Sequence, residues 1–290
     1  MNTVSHLIFT RFNLAIHFGC AKRRDTQCPD SPWLNEKYLA DRFEIFERYT
    51  YPSFQNQTDQ NFKWIVLFHK DTPQKFKQRI QIYEKETRNF EAWYFDDSES
   101  ACFEDIIYQY IKENLSGGLI TTRVDNDDFV HKKFVESIKN DFAYQNEAEI
   151  LTYPNGLQYD SRSSVLLKYN HINNHFLSLY VSDVKNSEIN HILQFNHGEI
   201  DKLLLRHNIK KLAVNKKPPL WVEVITDSNY SNGTAWRFQR LLLPMSYNKE
   251  YPSLKLWNDR KDYIHVMIMG IIKVFINRTN GLLLRIKKHA

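Results

Sequence analysis

Short apolar runs alternate with amphipathic stretches through the first half of the chain. The runs have the length and composition of buried strands, and the strands they predict cover 6–10, 62–68, 91–95 and 118–124. Apolar residues recur at helical spacing after each run, and the helices they predict cover 33–49, 72–86, 103–114 and 129–141. Strands that alternate with helices of this length predict an α/β fold, a mostly parallel sheet with helices on both faces.

The pattern changes after residue 148. A Pro-Asn-Gly sequence between two β-like arms predicts a hairpin over 149–160. Short apolar runs predict further strands at 164–170, 176–182 and 220–226, and helical spacing predicts a helix over 198–207. This region therefore has mixed α and β content, and no Gly/Ser-rich or Pro-rich linker separates it from the first half.

The absence of a linker predicts that residues 1–246 form one domain. Its two halves are expected at about 1–148 and 149–246. Residues 247–290 are predicted to form a helical, basic extension, and their apolar stretch is shorter than the roughly 20 residues that a membrane-spanning helix needs. Two interpretations of the extension stay open. It is either a helix that lies on a membrane interface, or a helix packed on the body with a solvated basic tail.

Net charge and cysteine content limit the classes of ligand and the cellular compartment expected for the protein. The net charge of +5 suits anionic ligands but is too small to indicate nucleic-acid binding, so no nucleic-acid partner is expected. The three cysteines have no CxxC spacing, which favours neither a disulfide framework nor a zinc site. No signal-peptide pattern is present, and a cytoplasmic protein is expected, with peripheral contact at the inner membrane face under the first interpretation of the extension.

The densest group of chemically active residues follows the fourth predicted strand. Asp125 and Asp127, two apart on an extended stretch, can point to the same side and offer two oxygens to a divalent cation such as Mn²⁺ or Mg²⁺. Arg123 can meet a phosphate or a sugar hydroxyl, or pair with one of the aspartates. The structural alternative is that Asp127 or Asp128 only caps the next helix. Position favours the metal interpretation, because ligands bind at the carboxyl ends of the strands of open α/β sheets.

Further polar residues follow the other predicted strands at the same edge of the sheet. A cleft that takes a base, a ribose and a diphosphate would be lined by Thr10, Arg11, Asn13, Asp71 and Asp96. The alternative is that these are ordinary polar loop residues, and that Asp71 only starts a helix.

Four sequence blocks together resemble the putative rhamnosyltransferase family, bacterial glycosyltransferases with a GT-A-type nucleotide-sugar fold. The blocks are HLIFTRFN, FKWIVLFHKDTP, TTRVDNDDFV and PLWVEVITDSNYSN. The resemblance implies a nucleotide-diphosphate sugar donor, a divalent cation at Asp125 and Asp127, and a saccharide or lipid-linked saccharide acceptor. It further implies transfer of rhamnose or another hexose in surface polysaccharide synthesis.

The resemblance also implies roles for other residues. Arg123 and Asn126 would orient the metal ligands or touch the sugar, and Arg11 and Asp71 would contact the nucleotide. An inverting reaction needs a base for the acceptor hydroxyl, and the candidates are His197, Glu199 and Asp227. Two other functions stay open at this point: a sugar-nucleotide nucleotidyltransferase, and a non-catalytic interaction module of a polysaccharide assembly.

Overall fold

Two β-sheets organise the part of the chain that this computed structural model describes, namely residues 4–15, 32–162, 165–195, 200–226, 250–251, 254 and 272. The larger sheet has seven strands: β1 (Ser5–Arg11), β2 (Lys63–His69), β3 (Phe90–Phe95), β4 (Leu119–Arg123), β6 (Ala148–Thr152), β9 (Ser178–Val181) and β10 (Lys210–Ala213). The smaller sheet has four: β5 (Phe129–Val130), β7 (Asn155–Asp160), β8 (Val165–Asn170) and β11 (Trp221–Ile225).

The strand order of the larger sheet is β10-β6-β9-β4-β1-β2-β3. Six strands are parallel to one another, and β9 runs antiparallel to its neighbours β4 and β6. The predicted α/β fold with a mostly parallel sheet is confirmed. Because β4, β1, β2 and β3 are adjacent and parallel, their carboxyl ends lie at the same edge of the sheet.

Helices cover both faces of the larger sheet. They are α1 (Glu36–Ile45), α2 (Tyr51–Gln55), α3 (Gln74–Glu86), α4 (Asp97–Ser100), α5 (Phe103–Asn114), α6 (Phe134–Asp141) and α7 (Ile200–His207). The strand β2 shows why two faces form: Trp64, Val66 and Phe68 pack with the core under α1 and α3, whereas Ile65 and Leu67 pack with the core under α5. Such a strand is buried on both sides and reads as a continuous apolar run.

One predicted element is wrong, and another begins later than predicted. Residues 149–160 do not form a hairpin, because β6 pairs in the larger sheet while β7 pairs with β8 and β11 in the smaller one. The Pro-Asn-Gly sequence is therefore a corner between sheets. The helix predicted over 129–141 begins only at Phe134, because Phe129 and Val130 pair antiparallel with β11.

In the described residues, no helix combines the length and apolar character that crossing a membrane requires. Most of the predicted basic extension over 247–290 lies outside those residues, so its helical character and its contact with a membrane stay predictions.

The smaller sheet is joined to the larger one through Trp221. Its indole Nε1–H donates to the Tyr153 carbonyl at 2.7 Å, and its ring stacks on Phe176 with 4.8 Å between centroids. The third contact is Gly156, where an added Cβ would come within 2.2 Å of three indole atoms. A side chain at position 156 is thus incompatible with the observed position of Trp221.

We expect Gly156→Ala to lower the free energy of unfolding by about 2 kcal/mol or more, because relieving the overlap must displace a buried ring. Urea denaturation monitored by tryptophan fluorescence measures this. Gly118→Ala is the matched control, since its nearest contact would be 3.2 Å from the Val4 side chain. Equal effects of the two substitutions would show that Trp221 does not depend on the glycine.

Candidate active site

The acidic loop, residues 125–128, connects β4 of the larger sheet to β5 of the smaller one. It begins at the carboxyl end of β4, beside β1, where the Val124 N–H donates to the Phe9 carbonyl at 3.1 Å. The loop is therefore held between the two sheets.

Asp128 is buried and ties the loop to two other segments. Its Oδ1 accepts a hydrogen bond from the Val224 N–H of β11 at 3.0 Å, and its Oδ2 lies 2.6 Å from Nε2 of His175, just before β9. Burial raises the pKa of Asp128. Burial would lower the pKa of His175, but the nearby charge of Asp128 outweighs it and raises that pKa. The pKa shift of Asp128 thus reflects the cost of burying a charge, whereas that of His175 reflects attraction to an opposite charge.

Asp125, at the other end of the loop, faces two arginines. Its Oδ1 lies 3.3 Å from Nη2 of Arg123 and 3.7 Å from Nη2 of Arg11. Burial alone would raise the pKa of Asp125, but the charges of Arg123, His175 and Arg11 hold it well below its usual range. The side chain keeps 35% of its accessible surface, so it is the loop carboxylate most open to a ligand. The Nε of Arg123 is buried and has no hydrogen-bond partner in the described structure.

Asn126 and Asp127 position the loop. The Asn126 amide donates to the carbonyls of Arg11 and Phe12, both at 2.9 Å, and its Oδ1 accepts from Nη2 of Arg42. Nη1 of Arg42 donates to Oδ2 of Asp127 at 3.3 Å. Arg42 is 7% exposed and lies on α1, so the loop is fastened to both β1 and α1.

A divalent cation would find its ligands in Asp125, Asp128 and His175. One ligand atom from each lies within 4.8 Å of the others, and this is the group of three with suitable side chains that the described residues contain. Two carboxylate oxygens and an imidazole nitrogen fit Mn²⁺ better than Mg²⁺, which prefers oxygen ligands only. The group shares Asp125 with the pair predicted from the sequence. Asp127 is bonded to Arg42 instead, and the Asp125–Asp127 pair stays a prediction.

The other predicted donor residues use their polar atoms inside the fold. Thr10 accepts from the Trp64 indole at 3.0 Å. Asn13 is buried, and its amide bonds the Trp33 carbonyl, the Thr72 hydroxyl and the His69 N–H. Asp96 caps α4 through the Glu99 N–H.

Asp71 is exposed. No hydrogen bond or ion pair in the described structure links it, or the three residues just named, to the acidic loop. Of the predicted donor contacts, the structure brings Arg11, Arg123 and Asn126 together at the loop. Their roles, like that of Asp71, remain to be tested. The three candidate bases, His197, Glu199 and Asp227, lie outside the described residues.

Sequence reasoning missed Arg42 and His175. A signal existed for Arg42, because it shares the buried stripe of α1 with Leu39 and Phe43, where a basic residue must have a partner. No spacing signal existed for His175, which lies 47 residues from Asp128. Only the pairing of β9 with β4 brings it there.

A family model described as putative rhamnosyl transferase matches residues 5–237. The match covers most of the chain, so the chain belongs to this family of glycosyltransferases. No curated protein matches the sequence.

Solved structures of similar fold include residues 1–349 of TarS from S. aureus, at 10% identity and a TM-score of 0.40, with 77% of this chain and 60% of that one covered. The chain thus spans less than two thirds of that structure. A putative nucleotide-diphospho-sugar transferase from Desulfovibrio desulfuricans G20 has 10% identity, a TM-score of 0.39 and coverage of 91% and 98%. The UDP complex of TarS 1–349 has 9% identity, a TM-score of 0.38 and coverage of 97% and 75%. These identities and TM-scores are too low to indicate a function, so the proposed function rests on the family match and the site.

We expect Asn126→Ala to lower the free energy of unfolding by about 2 to 3 kcal/mol, since two backbone carbonyls and the Arg42 guanidinium lose a partner. Urea denaturation measures this. The control is Asn170→Ala, an exposed amide whose removal should cost less than about 0.5 kcal/mol. An Asn126→Ala protein as stable as this control would contradict the anchoring role.

Proposed function

We propose that the chain transfers a sugar, rhamnose or another hexose, from a nucleotide-diphosphate donor to a saccharide acceptor during assembly of a surface polysaccharide. The observation that supports this is the meeting of Asp125, Asp128 and His175 with Arg11 and Arg123 at the carboxyl end of β4, in a chain of this family. That edge is where ligands bind in open α/β sheets.

The arginines suit the leaving group. Transfer breaks the bond between the anomeric carbon and a diphosphate oxygen, so negative charge develops on the diphosphate while the sugar takes on oxocarbenium character. Fixed cations beside the diphosphate stabilise that charge most where water is excluded. Arg123 is buried, and Arg11 is 27% exposed at the side chain, so both present guanidinium groups whose solvation is already reduced. We assign them to the phosphate oxygens.

A divalent cation fits the same place. Asp125, Asp128 and His175 would hold it, and when bound it supplies Lewis-acid stabilisation of the leaving diphosphate. In the present arrangement each carboxylate has a cationic partner, Arg123 for Asp125 and His175 for Asp128. Asn126 and Arg42 then keep the loop in position without taking part in ligation.

Titration calorimetry with the diphosphates of uridine, thymidine and guanosine tests this proposal. We expect one of them to bind in the presence of Mn²⁺ and binding to be lost with chelator. Asp125→Asn should weaken Mn²⁺-dependent binding at least about tenfold, because a charged ligand is replaced by a neutral amide. The control is Asp201→Asn, an exposed carboxylate paired with Lys211. A chain that binds no nucleotide at any Mn²⁺ concentration would not be a transferase of this kind.

A second comparison distinguishes the two ligand sets. We expect His175→Gln, which keeps a donor for Asp128, to weaken Mn²⁺ binding more than Asp127→Asn does, because Asp127 is bonded to Arg42. Paramagnetic broadening or calorimetry with Mn²⁺ and nucleotide measures both. The reverse order would favour Asp125 and Asp127 as the ligands.

A further inference from the structure

A buried carboxylate that the donor site does not use lies on β11, directly beside the acidic loop. Glu223 is 5% exposed, and the next residue, Val224, donates its N–H to Asp128. Side chains alternate along β11: Val222 and Val224 enter the apolar core of the smaller sheet, so Glu223 projects from the opposite face with Trp221.

The partner of Glu223 is neutral. Its Oε2 accepts from the side-chain amide of Gln158 at 2.7 Å, and Gln158 is the residue opposite it on β7. In the described structure, no lysine or arginine bonds to Glu223, and its second oxygen accepts no hydrogen bond. A buried carboxylate without a cationic partner is costly to maintain, and stability alone does not account for it.

A neighbouring carboxylate shows the contrast. Asp160 lies two residues from Gln158 on β7 and is also buried, but the Arg162 guanidinium donates two hydrogen bonds to it, at 3.0 and 2.8 Å. In the described structure, Asp160 thus has a cationic partner, whereas Glu223 has a neutral one.

We propose that Glu223 is the base that deprotonates the acceptor hydroxyl, an inference that rests on the proposed function. The acceptor O–H gives its proton to the free oxygen of Glu223, and the oxygen electron pair forms the bond to the anomeric carbon. The bond from that carbon to the diphosphate oxygen breaks, and its electron pair leaves with the nucleoside diphosphate. Gln158 holds the carboxylate in position.

The placement of the groups agrees with this order of events. Arg11, Arg123 and Asp125 lie together at the start of the acidic loop, whereas Glu223 lies on β11, the strand that Asp128 bonds at the end of the loop. The proposed leaving-group contacts and the proposed base are thus at opposite ends of the acidic loop. Attack from the side opposite the diphosphate inverts the anomeric centre.

The test uses hydrolysis of the nucleotide sugar, with water as the acceptor, in the full chain with Mn²⁺. Glu223→Gln keeps the volume and an oxygen for the Gln158 amide. We expect its kcat to fall at least about a hundredfold, the lower range for loss of a general base. Its Kd for the nucleoside diphosphate should change less than about twofold. Asp160→Asn is the matched control, and its kcat should stay near that of the unmodified chain.

A second variant separates chemistry from structure. Glu223→Ala opens space for a small carboxylate, and formate should restore hydrolysis at least about tenfold in this variant and not in Asp160→Ala. NMR of the released sugar should show the anomer opposite to that of the donor. Glu223→Gln with normal kcat, absence of formate rescue, or a retained anomer would overturn the role of Glu223 while leaving nucleotide binding, and so the proposed function, intact. Absence of nucleotide binding in the unmodified chain would overturn both.

Discussion

The site depends on one buried carboxylate, Asp128. Its two oxygens are bonded to β11 through Val224 and to the segment before β9 through His175, so a single side chain joins both sheets to the acidic loop. Both bonds stabilise this arrangement, because leaving a buried carboxylate unpaired costs several kcal/mol. This requirement fixes where the loop ends. It also holds Glu223, the neighbour of Val224 on β11, close to that end of the loop.

Every aspartate of the loop has a cationic partner from a different part of the chain. Arg123 and Arg11 face Asp125, Arg42 faces Asp127, and His175 faces Asp128. The three negative charges are thereby balanced before any ligand arrives, which is what permits so dense a cluster in a partly buried place. A guanidinium can hold a carboxylate or a phosphate with the same pair of N–H groups. Under the proposed function, an arriving diphosphate would replace Asp125 as the partner of Arg11 and Arg123, and the freed carboxylate would become available to a cation.

The sequence predicted the strands and most helices. Buried parallel strands such as β2 appear as apolar runs, and helices such as α5 appear as apolar residues at regular spacing. It failed where local signals were overridden by pairing with a distant strand. Phe129 and Val130 look helical but pair with β11, and the turn signal at 154–156 marks a change of sheet. Within the site, the position of the acidic loop was predictable from its strand. His175 was not, because nothing in its own neighbourhood indicates the contact with Asp128.

The register of β11 connects packing to chemistry. Side chains on a strand alternate between faces, so a slip of one residue would turn Glu223 into the core that Val222 and Val224 occupy and would expose those valines to the site. Trp221 opposes such a slip, because its ring is packed against Gly156 and Phe176 and its N–H donates to the Tyr153 carbonyl. The bond from Val224 to Asp128 opposes it from the other end. A glycine outside the acidic loop thus helps to fix the register of the strand that Asp128 bonds.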